Sequence, residues 1–165
     1  MNLAHALVGG LGTAFWTETR FMRRIAFVLD LPLSRLPGFV RHLQERGFVG
    51  NPTEMEREWA RDGTTTLSFR GIPVRLLKPI LRTCQHIVGR AIEDSRLGRP
   101  IRVASAEGLI LLQLLTWRIE DQMYMGDLVA AFRDTLDLNW IRSEWATVAD
   151  PADPRMVRLS ELAGR

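Results

Sequence analysis

The chain has 165 residues, 46% of them hydrophobic, which suffices for one compact core without covalent staples. A single cysteine, Cys84, rules out an intramolecular disulfide and fits a reducing compartment. The net charge is only +3, but of the 22 basic residues Lys78 alone is a lysine. An arginine-dominated cationic side favours planar anions, so a phosphate-bearing partner is physically reasonable.

No apolar run approaches the roughly 20 residues of a membrane helix, and no basic stretch precedes an apolar segment with a cleavage site. A cytoplasmic protein without membrane contact is therefore expected. In chain order, Ala4 to Val8 reads as a short buried strand ending in Gly9-Gly10. Leu11, Ala14 and Phe15 then fall at helical spacing, which predicts a two-turn helix up to Thr17. Ile25 to Leu31 is an apolar, β-rich run closed by Pro32, a central strand.

Ser34 to Gly47 reads as an amphipathic helix, with Leu36, Phe39, Val40 and Leu43 on one stripe. Phe48-Val49 begins a short strand, and Asn51 to Gly63 reads as a polar, charged loop carrying Trp59, whose exposure would bear on base stacking. Thr64 to Arg70 and Ile72 to Leu77 form a predicted hairpin around Gly71, with Pro73 near a strand start. A helix from Pro79 to Arg90 leads through the basic turn SRLGRP to an extended IRVA.

Ser105 is a predicted N-cap for the apolar segment LILLQLLTW, which should be buried. Helices over Glu120 to Thr135 (packing through Met123, Leu128, Val129 and Phe132), Leu138 to Val148 (capped by Asp137) and Arg155 to Leu162 complete the chain. Trp16, Trp117, Trp140 and Trp145 sit at helical positions as core or interface anchors. This order argues an α/β (α+β) fold, a small mixed sheet with flanking helices in residues 1–103 and a C-terminal helical section packed on it in 104–165.

The pattern Val8-Gly9-Gly10, Trp16, Glu18, Arg20, Ile25 and the run Phe27 to Leu29 resembles the small nucleotidyltransferases of the abortive-infection and toxin-antitoxin type. There a Gly-Gly or Gly-Ser turn opens a helix and R-x-T-x-D-I-D follows at the mouth of the next strand. The segment SAEGLILLQLLTWRIED is similar to the same family's helical block, S-A-E-D-L-I-x-x-K-L with R-x-x-D some residues on. The resemblance implies a nucleotidyltransferase-like fold. It also implies a metal site in which two aspartates, two apart on one strand, join a third from a neighbouring strand to hold magnesium.

Laid on this chain, the two aspartates become Arg24 and Ala26, and the third, expected in a V-D-L-L pattern, becomes Arg75. Guanidiniums in place of carboxylates repel magnesium, so no catalytic residue and no cofactor is assigned. Gln113 and Gly108 replace the family's lysine and aspartate in the helical block. Asp30 lies too far along its strand to substitute, and Glu18 alone makes a poor two-metal site. His5, His42 and His86 are scattered, and Cys84 and His86 would not share a helical face.

Two readings of Gly9 and Gly10 stay open, a turn that requires glycine for its backbone and a phosphate contact. Arg20, Arg23, Arg24 and Arg75 are either solvated charge left at a decayed site or the ligands of a phosphate, a nucleotide or an RNA backbone. The expected function is thus a degenerate nucleotidyltransferase acting as a binding module, with a toxin-antitoxin-like partner protein or a second copy as possible associates. The alternatives are an active transferase with non-standard acids and a general RNA-binding domain.

Overall fold

A computed structural model describes residues 3–18, 24–96 and 98–164. Strand β1 (His5–Val8) runs into helix α1 (Gly9–Trp16), and β2 (Ile25–Leu29) returns antiparallel to β1 with Val8 opposite Ala26. After a 3-10 turn (Leu33–Arg35) come α2 (Leu36–Gln44), the two-residue strand β3 (Phe48–Val49) and α3 (Pro52–Asp62). The hairpin β4 (Thr64–Phe69) and β5 (Ile72–Leu77) turns through Arg70 and Gly71, both at positive φ (50° and 79°), as a two-residue hairpin loop requires.

Helix α4 (Arg82–Gly89), strands β6 (Ile92–Asp94) and β7 (Ile101–Val103), and helices α5 (Ala106–Thr116), α6 (Ile119–Phe132), α7 (Leu138–Trp145) and α8 (Pro154–Ala163) complete the order. Among the described residues the sheet is mixed, seven strands in the order β3-β4-β5-β2-β1-β7-β6. β2 lies parallel to β5 and β1 parallel to β7, and the other pairs are antiparallel. An α/β architecture of this kind is what the strand-helix alternation predicts.

Alternation along the strands sorts side chains into two apolar layers. Ala6, Val8 and Val28 join Ile87, Ile110, Leu114, Leu128 and Ile141 in one cluster, so the C-terminal helices share a core with the sheet. Leu29, Val74 and Leu76 face the other way and meet Leu36, Val40, Met55 and Trp59 of α2 and α3.

The expected loop from Asn51 to Gly63 is instead helix α3. Asn51 caps it by accepting from the Thr53 and Glu54 N–H groups, Pro52 opens it, and Gly63 closes it in the left-handed region. Its two buried residues, Met55 and Trp59, stand four apart and anchor it. Trp59 is 1% exposed and its indole N–H donates to the Leu31 carbonyl at 3.1 Å, so it is a core anchor and no stacking platform.

Several bounds also shift. β2 ends at Leu29, α4 starts at Arg82, α6 ends at Phe132 and α7 at Trp145. The segment before SRLGRP supplies β6, which pairs with β7. Met123 is exposed, and Met125 takes the buried place on α6. Ser105, Asp137 and Asp153 cap α5, α7 and α8 through their side chains.

Candidate functional site

The positions that matter lie in one lateral row across four strands. Val8 pairs with Ala26, Ala26 with Arg75, and Arg75 with Thr66. Gly9, at φ +67°, follows directly, and a Cβ placed on it would lie 3.6 Å from that of Ala26. The strand-to-helix turn therefore uses a backbone conformation that favours glycine. Gly10 lies half-buried in the first turn of α1.

Arg24 stands two residues before Ala26, and Arg24 and Arg75 line one cavity of about 460 Å³. Its floor is Thr64, Thr65, Thr66 and Pro73 of the β4–β5 hairpin, and α3 contributes Glu58 and Asp62. Arg75 is half-buried, and its Nε donates to the Thr64 hydroxyl at 3.0 Å. Burial first, then the charges of Arg118 and Arg24, hold its pKa below the usual arginine value. Two guanidiniums thus act on that of Arg75, and neither Arg24 nor Arg75 has an ion-pair partner among the described residues.

The two acids of the cavity are engaged elsewhere. Glu58 accepts from the Thr65 hydroxyl at 2.6 Å, and Asp62 is held by Arg61, whose Nη2 lies 2.7 Å away. The Arg61 guanidinium holds the Asp62 carboxyl below its ordinary pKa. Among the described residues no group of three or more His, Cys, Asp or Glu side chains is arranged to hold a metal. In the row itself Arg75 is the charged side chain, and a guanidinium is no ligand for magnesium.

Arg20 and Arg23 lie outside the described residues. Asp30 stands beyond the far end of β2 and lines a different cavity, so it does not join the row. Glu18 is exposed just after α1. In the helical block, Gln113 is 4% exposed and donates to the buried Thr13 hydroxyl at 3.0 Å, tying α5 to α1. Gly108 is where α4 approaches α5, since a Cβ there would sit 3.0 Å from Ile87 Cγ2.

Arg118 and the α3 acids were not singled out from the sequence. The signal for Arg118 was present in the R-x-x-D spacing, which falls on Arg118 and Asp121. Trp117, at φ +49°, reverses the chain between α5 and α6, and the Asp121 carboxylate accepts from the Arg118 N–H at 3.0 Å. No local pattern marks Glu58 or Asp62, because they reach the cavity only through the packing of α3.

No sequence family and no curated protein matches the chain. Among solved structures it is similar to the crystal structure of an antigenic nucleotidyltransferase-like protein from Paracoccidioides brasiliensis. The TM-score is 0.52 at 12% identity, covering 96% of this chain and 85% of that one. The fold is therefore a nucleotidyltransferase-like α/β fold. At that identity the likeness speaks for the fold alone.

Proposed function

We propose that the chain is a nucleotidyltransferase-fold binding module in which guanidiniums take the place of metal-holding carboxylates, so that the cleft receives a phosphate group without magnesium. The observation that carries this reading is the shared cavity of Arg24 and Arg75, beside Ala26, with no carboxylate paired to either arginine. Guanidiniums without an ion-pair partner attract oxyanions, and their planar donors match a phosphate in two-point fashion. A terminal phosphate of a nucleotide is favoured over an RNA backbone, because Glu58 and Asp62 line the same cavity and their charge disfavours an extended polyanion. A toxin-antitoxin-like partner or a second copy belongs to the same proposal as the protein that would read the occupied cleft.

Calorimetric titration of nucleotides and short RNA, with a chelator present, tests the reading against an Arg24→Ala, Arg75→Ala double variant. Nucleotide binding by the wild type and its loss in the variant are expected; equal, negligible binding by both sinks the proposal. Incubation with labelled nucleoside triphosphates and magnesium or manganese is expected to give no transfer. Metal-dependent labelling abolished by Glu18→Gln would establish an active transferase in its place.

A further inference from the structure

The outer side of β4 is only partly covered. β3 pairs with Ser68 and Phe69 at its far end, so Thr64 to Thr66 have no strand beside them on that side among the described residues. Across the hairpin, the Gly63 carbonyl accepts from the Lys78 N–H at 2.7 Å. Bonded and non-bonded positions alternate along an antiparallel pair, so the N–H and C=O groups of the next residue, Thr64, and of Thr66 point away from β5. None of these groups has a hydrogen-bond partner among the described residues. The stretch is all threonine, a residue that favours strands, and carries neither the lysine nor the proline that commonly blunts a sheet edge.

The two faces at this edge carry opposite charge. Leu67, Val74 and Leu76 pack toward α3, so by alternation Thr65 faces α3 as well and Arg75 faces the other way. Beneath β4, the Glu58 carboxylate accepts from the Thr65 hydroxyl at 2.6 Å. Above it, the Arg75 guanidinium leans over the strand, its Nε 3.0 Å from the Thr64 hydroxyl. Both charged tips are thus held against β4 itself, about one strand spacing of 4.8 Å from a chain added outside it. Residues of both faces line the cavity of the arginine row, which makes that cavity a trough along the free edge.

We propose that an extended segment of a partner protein adds to β4 as a further strand, hydrogen-bonded to Thr64 and Thr66, with an acidic residue toward Arg75 and a basic residue toward Glu58. Neighbouring residues of a strand point to opposite faces, so the recognised feature is an acid and a base side by side in an extended run. Such a partner shares one premise with the phosphate reading, that Arg75 accepts an anion, and to that extent rests on it. The segment's carboxylate and a phosphate take the same place, so the partner reads an occupied cleft by leaving it.

Amide resonances of Thr64 and Thr66 in the full chain are followed while the capped peptide Thr-Val-Glu-Arg-Val-Thr is added without phosphate. Saturable shifts and slowed amide exchange at Thr66 are expected. The isomer Thr-Val-Glu-Thr-Arg-Val puts both charges on one face and should bind at least about tenfold more weakly, a comparison that needs no change in the protein. Thr66→Pro, which removes only an outward N–H, and Glu58→Gln should each weaken the first peptide by a similar factor. Absence of saturable shifts, equal binding of the two peptides, or undiminished binding by the folded Thr66→Pro protein would each overturn the proposal. Protection of these amides that grows with protein concentration in the absence of peptide would assign the edge to a second copy and overturn it too. Pyrophosphate is titrated in parallel: its binding without peptide binding would overturn the strand proposal alone, and peptide binding without it would sink the phosphate reading and leave the strand standing.

Discussion

Replacing Arg75 with methionine sets two effects of similar size against each other. The substitution removes the hydrogen bond from Nε to the Thr64 hydroxyl, a loss of about 1 kcal/mol. It also removes a guanidinium that is desolvated in part and repelled by Arg118 and Arg24. Because the group is half open to solvent, that relief is discounted for screening to about 0.5–1 kcal/mol at low ionic strength. The two nearly cancel in dilute buffer.

Salt separates them. A Debye length near 3 Å at 1 M removes most of the repulsion and leaves the hydrogen bond. Arg75→Met should therefore lie within about 0.5 kcal/mol of the wild type at low salt and be about 1 kcal/mol less stable at high salt, a difference of roughly 2–4 °C in Tm. Urea unfolding in sodium chloride, with phosphate excluded, measures both. An identical salt response in the two proteins would refute the idea that the row is electrostatically strained. A low-salt loss above about 2 kcal/mol would make Arg75 a structural arginine.

Other substitutions probe the parts that position the cleft. Trp59→Phe leaves the Leu31 carbonyl without its indole donor in a buried setting, and should cost about 1–3 kcal/mol in denaturant unfolding; wild-type stability would contradict the anchoring of α3. Gly108→Asp forces a side chain into Ile87 at the α4–α5 contact. It should lower stability by about 2 kcal/mol or more and be rescued in part by Ile87→Ala; wild-type Tm for the single variant would contradict this. The hydrogen bonds from Arg155 hold Asp153 at a pKa of about 2, below the unfolded 3.8. The folded pKa is the depressed one, so this stabilisation is present above pH 3.8 and lost as pH falls toward 2. The stability gap between wild type and Asp153→Asn should close over that interval, and a gap independent of pH would refute the assignment.

Much of the fold was legible because apolar period and punctuation agreed. The β1-glycine-α1-β2 unit, the Gly71 hairpin and the caps Ser105 and Asp137 each combine a hydrophobic pattern with a local stop or start residue. Helix α3 was hidden by its composition: eleven residues, mostly charged, with an apolar stripe of only Met55 and Trp59. Its boundaries are nonetheless written in Asn51-Pro52 and Gly63, where capping and not polarity decides the structure. Strand β6, three residues long and half of a hairpin, offers too short a pattern to separate from a turn.

At the site, the resemblance implied that Ala26 and Arg75 lie on neighbouring strands at one place, and the β2–β5 register sets them side by side. The cavity's second wall could not, because it depends on how α3 packs against the hairpin edge. Arg118 required knowing that the left-handed turn at Trp117 carries the start of α6 back toward the sheet.

The central claim is that Arg24 and Arg75 receive a phosphate where magnesium would otherwise be held. Calorimetric titration of pyrophosphate into the wild type and the Arg24→Ala, Arg75→Ala variant, with chelator and then with excess magnesium, tests it most directly. Charge-assisted contacts of about 1.5–3 kcal/mol each predict binding without a divalent ion and a loss of at least about tenfold in the variant. Binding that appears only with magnesium, or that is equal in both proteins, would contradict the account.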